Sequence, residues 1–169
     1  MELRRLTRED AEAFRQVRLH GLKEAPQAFS ADYEASVALT AEYFATWLKN
    51  EVDNFVIGAF VAGQLVGIGG FRVEPGPKLR HKGMIWGVYV LPEHRSGGMG
   101  RKVIEEIVAQ AAKVPDLRQI NITVTAANER AKQLYVSMGF EPWGLERSAL
   151  WIDGEFYDDV HMVKFVSKS

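Results

Sequence analysis

Val88-Tyr89-Val90-Leu91-Pro92-Glu93-His94-Arg95-Ser96-Gly97-Gly98-Met99-Gly100-Arg101-Lys102 is the stretch on which the reading of this chain turns. It starts as a strand, breaks at Pro92, passes through three glycines and opens a helix predicted over Gly100–Ala112. Val103, Ile104, Ile107, Val108 and Ala111 give that helix one apolar stripe, with Glu105, Glu106 and Gln110 facing out. Glycine has no Cβ, so the loop turns sharply and lets the main chain approach an anion closely. The unbonded N–H groups of the first helical turn then point at that anion, helped by the helix dipole. Arg95, Arg101 and Lys102 add local positive charge. The pattern implies a di- or polyphosphate ligand without saying which one.

Working outward, Met84 to Leu91 reads as a central strand, rich in Ile, Trp, Val and Tyr. Pro75-Gly76-Pro77 is a turn before it. Phe55 to Phe71 is almost wholly apolar, and a bilayer-spanning helix needs about 20 such residues. Its many glycines and the Ala62-Gly63-Gln64 break argue instead for two buried strands, near 54–61 and 65–73, joined by a tight turn. Glu2 to Leu6 is a first strand. Thr7 caps a helix with Asp10 in an imperfect capping box, and Ala11, Phe14 and Val17 mark its inner face. Pro26 to Asn50 is less regular, with a short helix and then one from about Thr40 to Lys49. Downstream, Leu117 to Val124 is a strand. Asn128 to Met138 is a helix stopped by Gly139, with Phe140 placed to pack back. Asp153-Gly154 marks a hairpin between strands near 145–152 and 155–165. The order β-α-α-β-β-β-α-β-α-β-β predicts a mixed sheet with helices packed on it, in one domain over residues 1–169.

Of the 169 residues, 47% are apolar and 25% charged, which fits an ordinary globular domain. The absence of cysteine excludes disulfides, a thiolate nucleophile and a zinc-thiolate site. A net charge of −1, without a basic stripe, argues against a nucleic-acid partner. With no apolar signal core after Met1 and no membrane segment, a cytoplasmic location without a membrane partner is expected.

Three kinds of phosphate loop can be compared with these residues. A Walker loop needs Gly-Lys followed by Ser or Thr, whereas Gly100 is followed by Arg101, Lys102 and Val103. A dinucleotide fingerprint needs a third glycine where Val103 stands, and Gly98 lies too far past the strand end. The third kind is Arg/Gln-x-x-Gly-x-Gly/Ala, and Arg95-Ser96-Gly97-Gly98-Met99-Gly100 matches it in full. That loop is the signature of the GNAT superfamily of N-acetyltransferases. Asn128-Glu129-Arg130-Ala131-Lys132-Gln133-Leu134-Tyr135, followed by Gly139-Phe140, resembles a second motif of the same family. The element order resembles it over essentially the whole chain.

The resemblance implies an α/β fold, with about seven strands, about four helices, and fourth and fifth strands splayed apart. It implies acetyl-CoA as co-substrate, no metal, and transfer of acetyl to a primary amine by direct attack in a ternary complex. The acceptor would be a small molecule or a peptide or protein amine. By the same resemblance the backbone of Val88, Tyr89 and Val90 pairs with pantetheine. The amides of Arg95, Ser96, Gly97, Gly98, Met99, Gly100 and Arg101 hold the pyrophosphate, and Val90 N–H is the oxyanion donor. Asn128 and Tyr135 are seven apart, within roughly 20° on one helix face. Asn128 bonds the amide arm of the cofactor, and Tyr135, a phenol with pKa near 10, is the general acid toward its sulfur. The residues alone allow Asn128 to be a helix N-cap and Tyr135 a core aromatic.

The general base is open. Many relatives place a glutamate on the fourth strand, where Met84, Ile85, Trp86 and Gly87 offer no carboxylate. Glu34 is one candidate; the pair Asp159 and His161, on one strand face by alternation, is another. A water chain is a third possibility. Phe29, Tyr33, Phe44, Trp47, Trp86 and Trp151 are candidates for either an acceptor pocket or the core. A homodimer through the C-terminal hairpin is a further expectation. The competing functional class is a non-catalytic acyl-CoA or nucleotide sensor on the same fold.

Overall fold

The computed structural model describes residues 1–167. Their order is β1 (Glu2–Arg5), α1 (Ala11–Glu24), α2 (Tyr33–Val37), α3 (Ala41–Ala45), β2 (Asn54–Val61), β3 (Gln64–Val73), β4 (Lys82–Val90), α4 (Met99–Ala111), β5 (Gln119–Thr125), α5 (Glu129–Ser137), β6 (Glu141–Ile152) and β7 (Glu155–Phe165). One seven-stranded sheet runs β1-β2-β3-β4-β5-β7-β6. Every neighbouring pair is antiparallel except β4 and β5. This is the mixed α/β sheet expected from the element order. Among the described residues no helix is long and apolar enough to cross a membrane.

Both short hairpins follow from their turn residues. Ala62 and Gly63 have φ of 49° and 78°, and Asp153 and Gly154 have φ of 48° and 83°. Positive φ at both central positions is the turn whose twist matches two antiparallel strands. The apolar stripe of α4 is buried as its periodicity requires: Val103, Ile104, Ile107 and Ala111 are fully enclosed against the sheet. A Cβ on Gly69 of β3 would stand 2.7 Å from Ile107 Cδ1 and 3.1 Å from Val103 Cγ1. The missing side chain lets α4 sit directly on the strand. On the other face α1 buries Phe14 against Phe44 and Trp47, with ring centroids 6.1 and 6.3 Å apart.

Among the boundaries that depart from the sequence reading, three have a local cause. The helix expected to Lys49 stops at Ala45. Thr40 does cap it, but Thr46 Oγ1 bonds back to the Tyr43 carbonyl at 2.6 Å, a contact that competes with helix propagation. The irregular region therefore holds two five-residue helices, which brings the α-helices among the described residues to five, where about four were expected. α4 begins at Met99, one residue early, because Gly98 and not Met99 takes the left-handed cap. β6 begins at Glu141 instead of near Leu145; it is a sheet edge with register shifts and mostly exposed side chains, so no alternation marks its start.

The feature that builds the site is the parting of β4 and β5. They pair only through Lys82–Gln119, Gly83–Ile120 and Met84–Asn121. Beyond Met84, β4 carries a bulge: Trp86 pairs with Gly70 and Tyr89 with Ile68, so Gly87 and Val88 together oppose Gly69. Gly87 has φ of 62°, which glycine adopts without strain. A bulge bends its strand and raises the local twist, and here it ends the pairing with β5.

Candidate active site

The α4 end of the cleft is built from main chain. Gly97 and Gly98 have φ of 87° and 74°. The first helical bond runs from Lys102 N–H to Gly98 C=O at 3.1 Å, which leaves the amides of Met99, Gly100 and Arg101 directed out of the helix end. No acid stands in the first turn of α4. Nothing lies within 4 Å of a Cβ placed on Gly97, Gly98 or Gly100, so this face is open to a ligand. Open amides, the positive end of a helix and no competing carboxylate suit a pyrophosphate.

Arg95 does not present its guanidinium to that opening. Its Nε donates to the Val90 carbonyl at 3.0 Å, and Nη1 and Nη2 donate to Glu24 at 3.3 and 2.7 Å. Tyr89 Oη donates to the same carboxylate at 2.8 Å and lies 2.9 Å from His20 Nδ1. The Arg95 guanidinium holds the Glu24 carboxyl below its usual range, and burial beside Glu24 pushes the Tyr89 phenol up. The expected phosphate-side role of Arg95 is thus limited to its main chain; its side chain is a strut between α1 and the loop. Arg101 bonds Ser137 Oγ at 2.7 Å and stays partly exposed near the helix end.

The β4 edge divides by register. Leu91 N–H donates to Val66 C=O at 2.9 Å, and Val90 stands opposite Gly67. In an antiparallel ladder the next residue along is then turned away from its partner. Val90 N–H is therefore turned away from β3. Tyr89 is turned the other way, toward β3, which corrects its expected place on the open edge.

Between the parted strands lies a cavity of about 630 Å³, lined among others by Gly87, Val88, Thr125, Asn128, Tyr135 and Asp159. Asn128 is the N-cap of α5, its Oδ1 accepting Ala131 N–H at 3.1 Å, and it also lines the cavity. Tyr135 packs on Phe140 at 5.9 Å and is only 8% exposed, yet it too reaches the cavity. Burial pushes its phenol up to about 12.

The base candidates separate. Asp159 stands opposite Thr125 and lines the cavity, its carboxyl held above the ordinary range by burial and then by the nearby Glu146 charge. His161 shares that strand face but lies outside this cavity, in a neighbouring groove. There its ring nitrogens meet Thr123 Oγ1 at 3.0 Å and Glu146 Oε2 at 2.8 Å, and the ring stacks on Trp143. Glu34 is exposed on α2 and does not line the cavity. The segment Gln27–Ser30 covers the cavity at that side instead. Of the aromatic candidates, Phe29, Trp47 and Trp86 line the cavity; Phe44 is core, and Trp151 is 72% exposed. Tyr33 sits beneath Lys23 at 5.7 Å.

Arg18 is one of several lining residues that the sequence reading did not single out. Arg18 follows Phe14 by four positions on the buried face of α1 and reaches the cavity. A cation on the apolar stripe of a helix was the signal available.

Comparison with known proteins follows this geometry. A family model described as an acetyltransferase (GNAT) domain matches residues 3–161. The uncharacterized N-acetyltransferase YoaA of Bacillus subtilis (strain 168) is 24% identical over 163 residues, 92% of this chain and 88% of that protein. A GNAT-family acetyltransferase from Streptococcus pneumoniae superposes with a TM-score of 0.86 at 24% identity, over 98% of this chain and 99% of that one. The ribosomal-protein-alanine N-acetyltransferase of Brucella melitensis gives 0.85 at 24% identity, over 98% and 100%. The yncA protein of Salmonella typhimurium, determined with its cofactor acetyl-CoA, gives 0.87 at 18% identity, over 100% and 95%.

Proposed function

Because the chain belongs to the GNAT acetyltransferase family, we propose that it transfers acetyl from acetyl-CoA to a primary amine by direct attack in a ternary complex. One observation supports the reading: Val88, Asn128, Tyr135 and Asp159 line one cavity between β4 and β5, and β4 runs on from it into the glycine loop and the open amides that start α4. The residues present suit the co-substrate, which supplies an activated thioester when bound.

The chain's own groups would act as follows. The amides of Met99, Gly100 and Arg101 hold the pyrophosphate, and Asn128 holds the amide arm. Val90 N–H donates to the acetyl oxygen as negative charge builds there, the kind of fixed donor whose removal elsewhere costs about 10²–10³ in rate. The amine nitrogen forms a bond to the acetyl carbon, and the carbon–sulfur bond breaks. Asp159 takes the proton leaving the amine, directly or through water, and Tyr135 gives its proton to the departing sulfur.

The test is calorimetry with acetyl-CoA, followed by titration of released thiol over a panel of amines. Binding together with thiol release is expected. Binding without release on any amine would instead favour the non-catalytic sensor, and no binding would remove both.

A further inference from the structure

Among the described residues, Arg18 has no partner that explains its burial. It is 7% exposed, and its Nε and Nη1 are enclosed without a hydrogen-bond acceptor. Its guanidinium centre lies 4.9 Å from the Trp47 ring, 5.3 Å from Phe29 and 5.9 Å from Trp86. Those ring faces attract a cation but accept none of its N–H groups in the manner of a carboxylate. Burial alone pulls its pKa down to about 10, so it stays charged at neutral pH. A buried charge left uncompensated is costly, and a group kept in that state is suited to receive an anion. Trp86 Nε1, a second enclosed donor, also lacks a partner.

The position of Arg18 says where the anion would sit. Nη1 lies 3.0 Å from the point a Cβ on Gly87 would occupy, beside the β4 bulge and just before Val88 and Val90. Arg72 and Lys49 also line this cavity, against Asp159 as its single carboxylate residue among the described residues. The cavity is therefore positive on balance, the reverse of a site that selects a bare cationic amine.

We propose that Arg18 anchors a compact anionic group of the acceptor, a carboxylate or its phosphinate or sulfonate equivalent, close to the amine that is acetylated. The acceptor is then a small amino acid whose carboxylate faces the Arg18 guanidinium. This deepens the transferase reading above and rests on it.

The protein, supplied with acetyl-CoA, is offered L-amino acids, their methyl esters and their decarboxylated amines, and thiol release is followed. KM for at least one free acid is expected to lie below that of its ester by on the order of 30-fold or more, the scale of a buried charge pair losing one member. Arg18→Met is expected to erase that preference while calorimetry shows acetyl-CoA affinity unchanged. Because it removes an unpaired buried charge, the variant is also expected to melt no lower than the parent. Esters or simple amines accepted as well as free acids, or none of the three accepted by a protein that binds acetyl-CoA, would overturn the proposal. So would an Arg18→Met variant that melts lower and loses acids and esters alike, which is the behaviour of a packing residue. Absence of acetyl-CoA binding would bring down the transferase reading and this proposal together.

Discussion

Tyr135 and Asp159 line the same cavity, and burial raises the pKa of both. Burial drives the phenol up to about 12, so it retains its proton throughout the neutral range and can donate it. Tyr135→Phe is expected to lower kcat by about 10²-fold or more with little change in acetyl-CoA affinity; an unchanged kcat at saturation would remove its acid role. Asp159 has its carboxyl raised, chiefly by burial. The acid limb of kcat/KM is expected to fall above the ordinary carboxylate range, and Asp159→Asn to abolish activity on protonated amines. The sign of the stability effect follows. A folded-state pKa above the unfolded one favours folding below the unfolded value and loses that contribution as pH rises through the folded value. At neutral pH the ionised Asp159 is a cost, so Asp159→Asn is expected to melt no lower than the parent by calorimetric scanning.

The glycine loop and α4 form the element that the proposed function makes responsible for cofactor binding. Gly98→Asp places a side chain where nothing stands within 4 Å, at φ of 74°. Strain of about 1–2 kcal/mol is expected from that backbone, well short of unfolding a domain. The new carboxylate faces the open amides, so circular dichroism is expected to report a folded protein and calorimetry no acetyl-CoA binding. Retained tight binding would discredit the loop. This element was legible in the sequence because a strand, a glycine cluster and a helical stripe follow one another without interruption. The Asp153-Gly154 turn was legible for the same local reason. The bulge at Gly87 was not, since Trp86-Gly87-Val88 carries no local mark of a two-against-one register. Neither was the Glu24–Arg95–Tyr89 strut, whose members meet only when α1 packs beside β4. The turn of His161 toward a neighbouring groove was not legible either, since its partners Thr123 and Glu146 lie outside any local window around it, nor was the exposure of Glu34 on a five-residue helix.

At the scale of the molecule, the sheet is two parts sharing three residue pairs between β4 and β5. A ligand seated across the opening touches both parts and binds only the folded chain. Acetyl-CoA at a hundred times its dissociation constant is expected to stabilise by about 2.7 kcal/mol, or roughly 5–10 °C in Tm for a chain of this length. Differential scanning fluorimetry checks it; a melting point indifferent to acetyl-CoA would deny the bridging site. The seat of α4 on Gly69 bears on the same span. A methyl group at that residue would push the end of the Ile107 side chain aside and crowd Val103, which stand 2.7 and 3.1 Å from it. The seat of the helix that carries the open amides thus depends on an atom absent from the middle of a neighbouring strand.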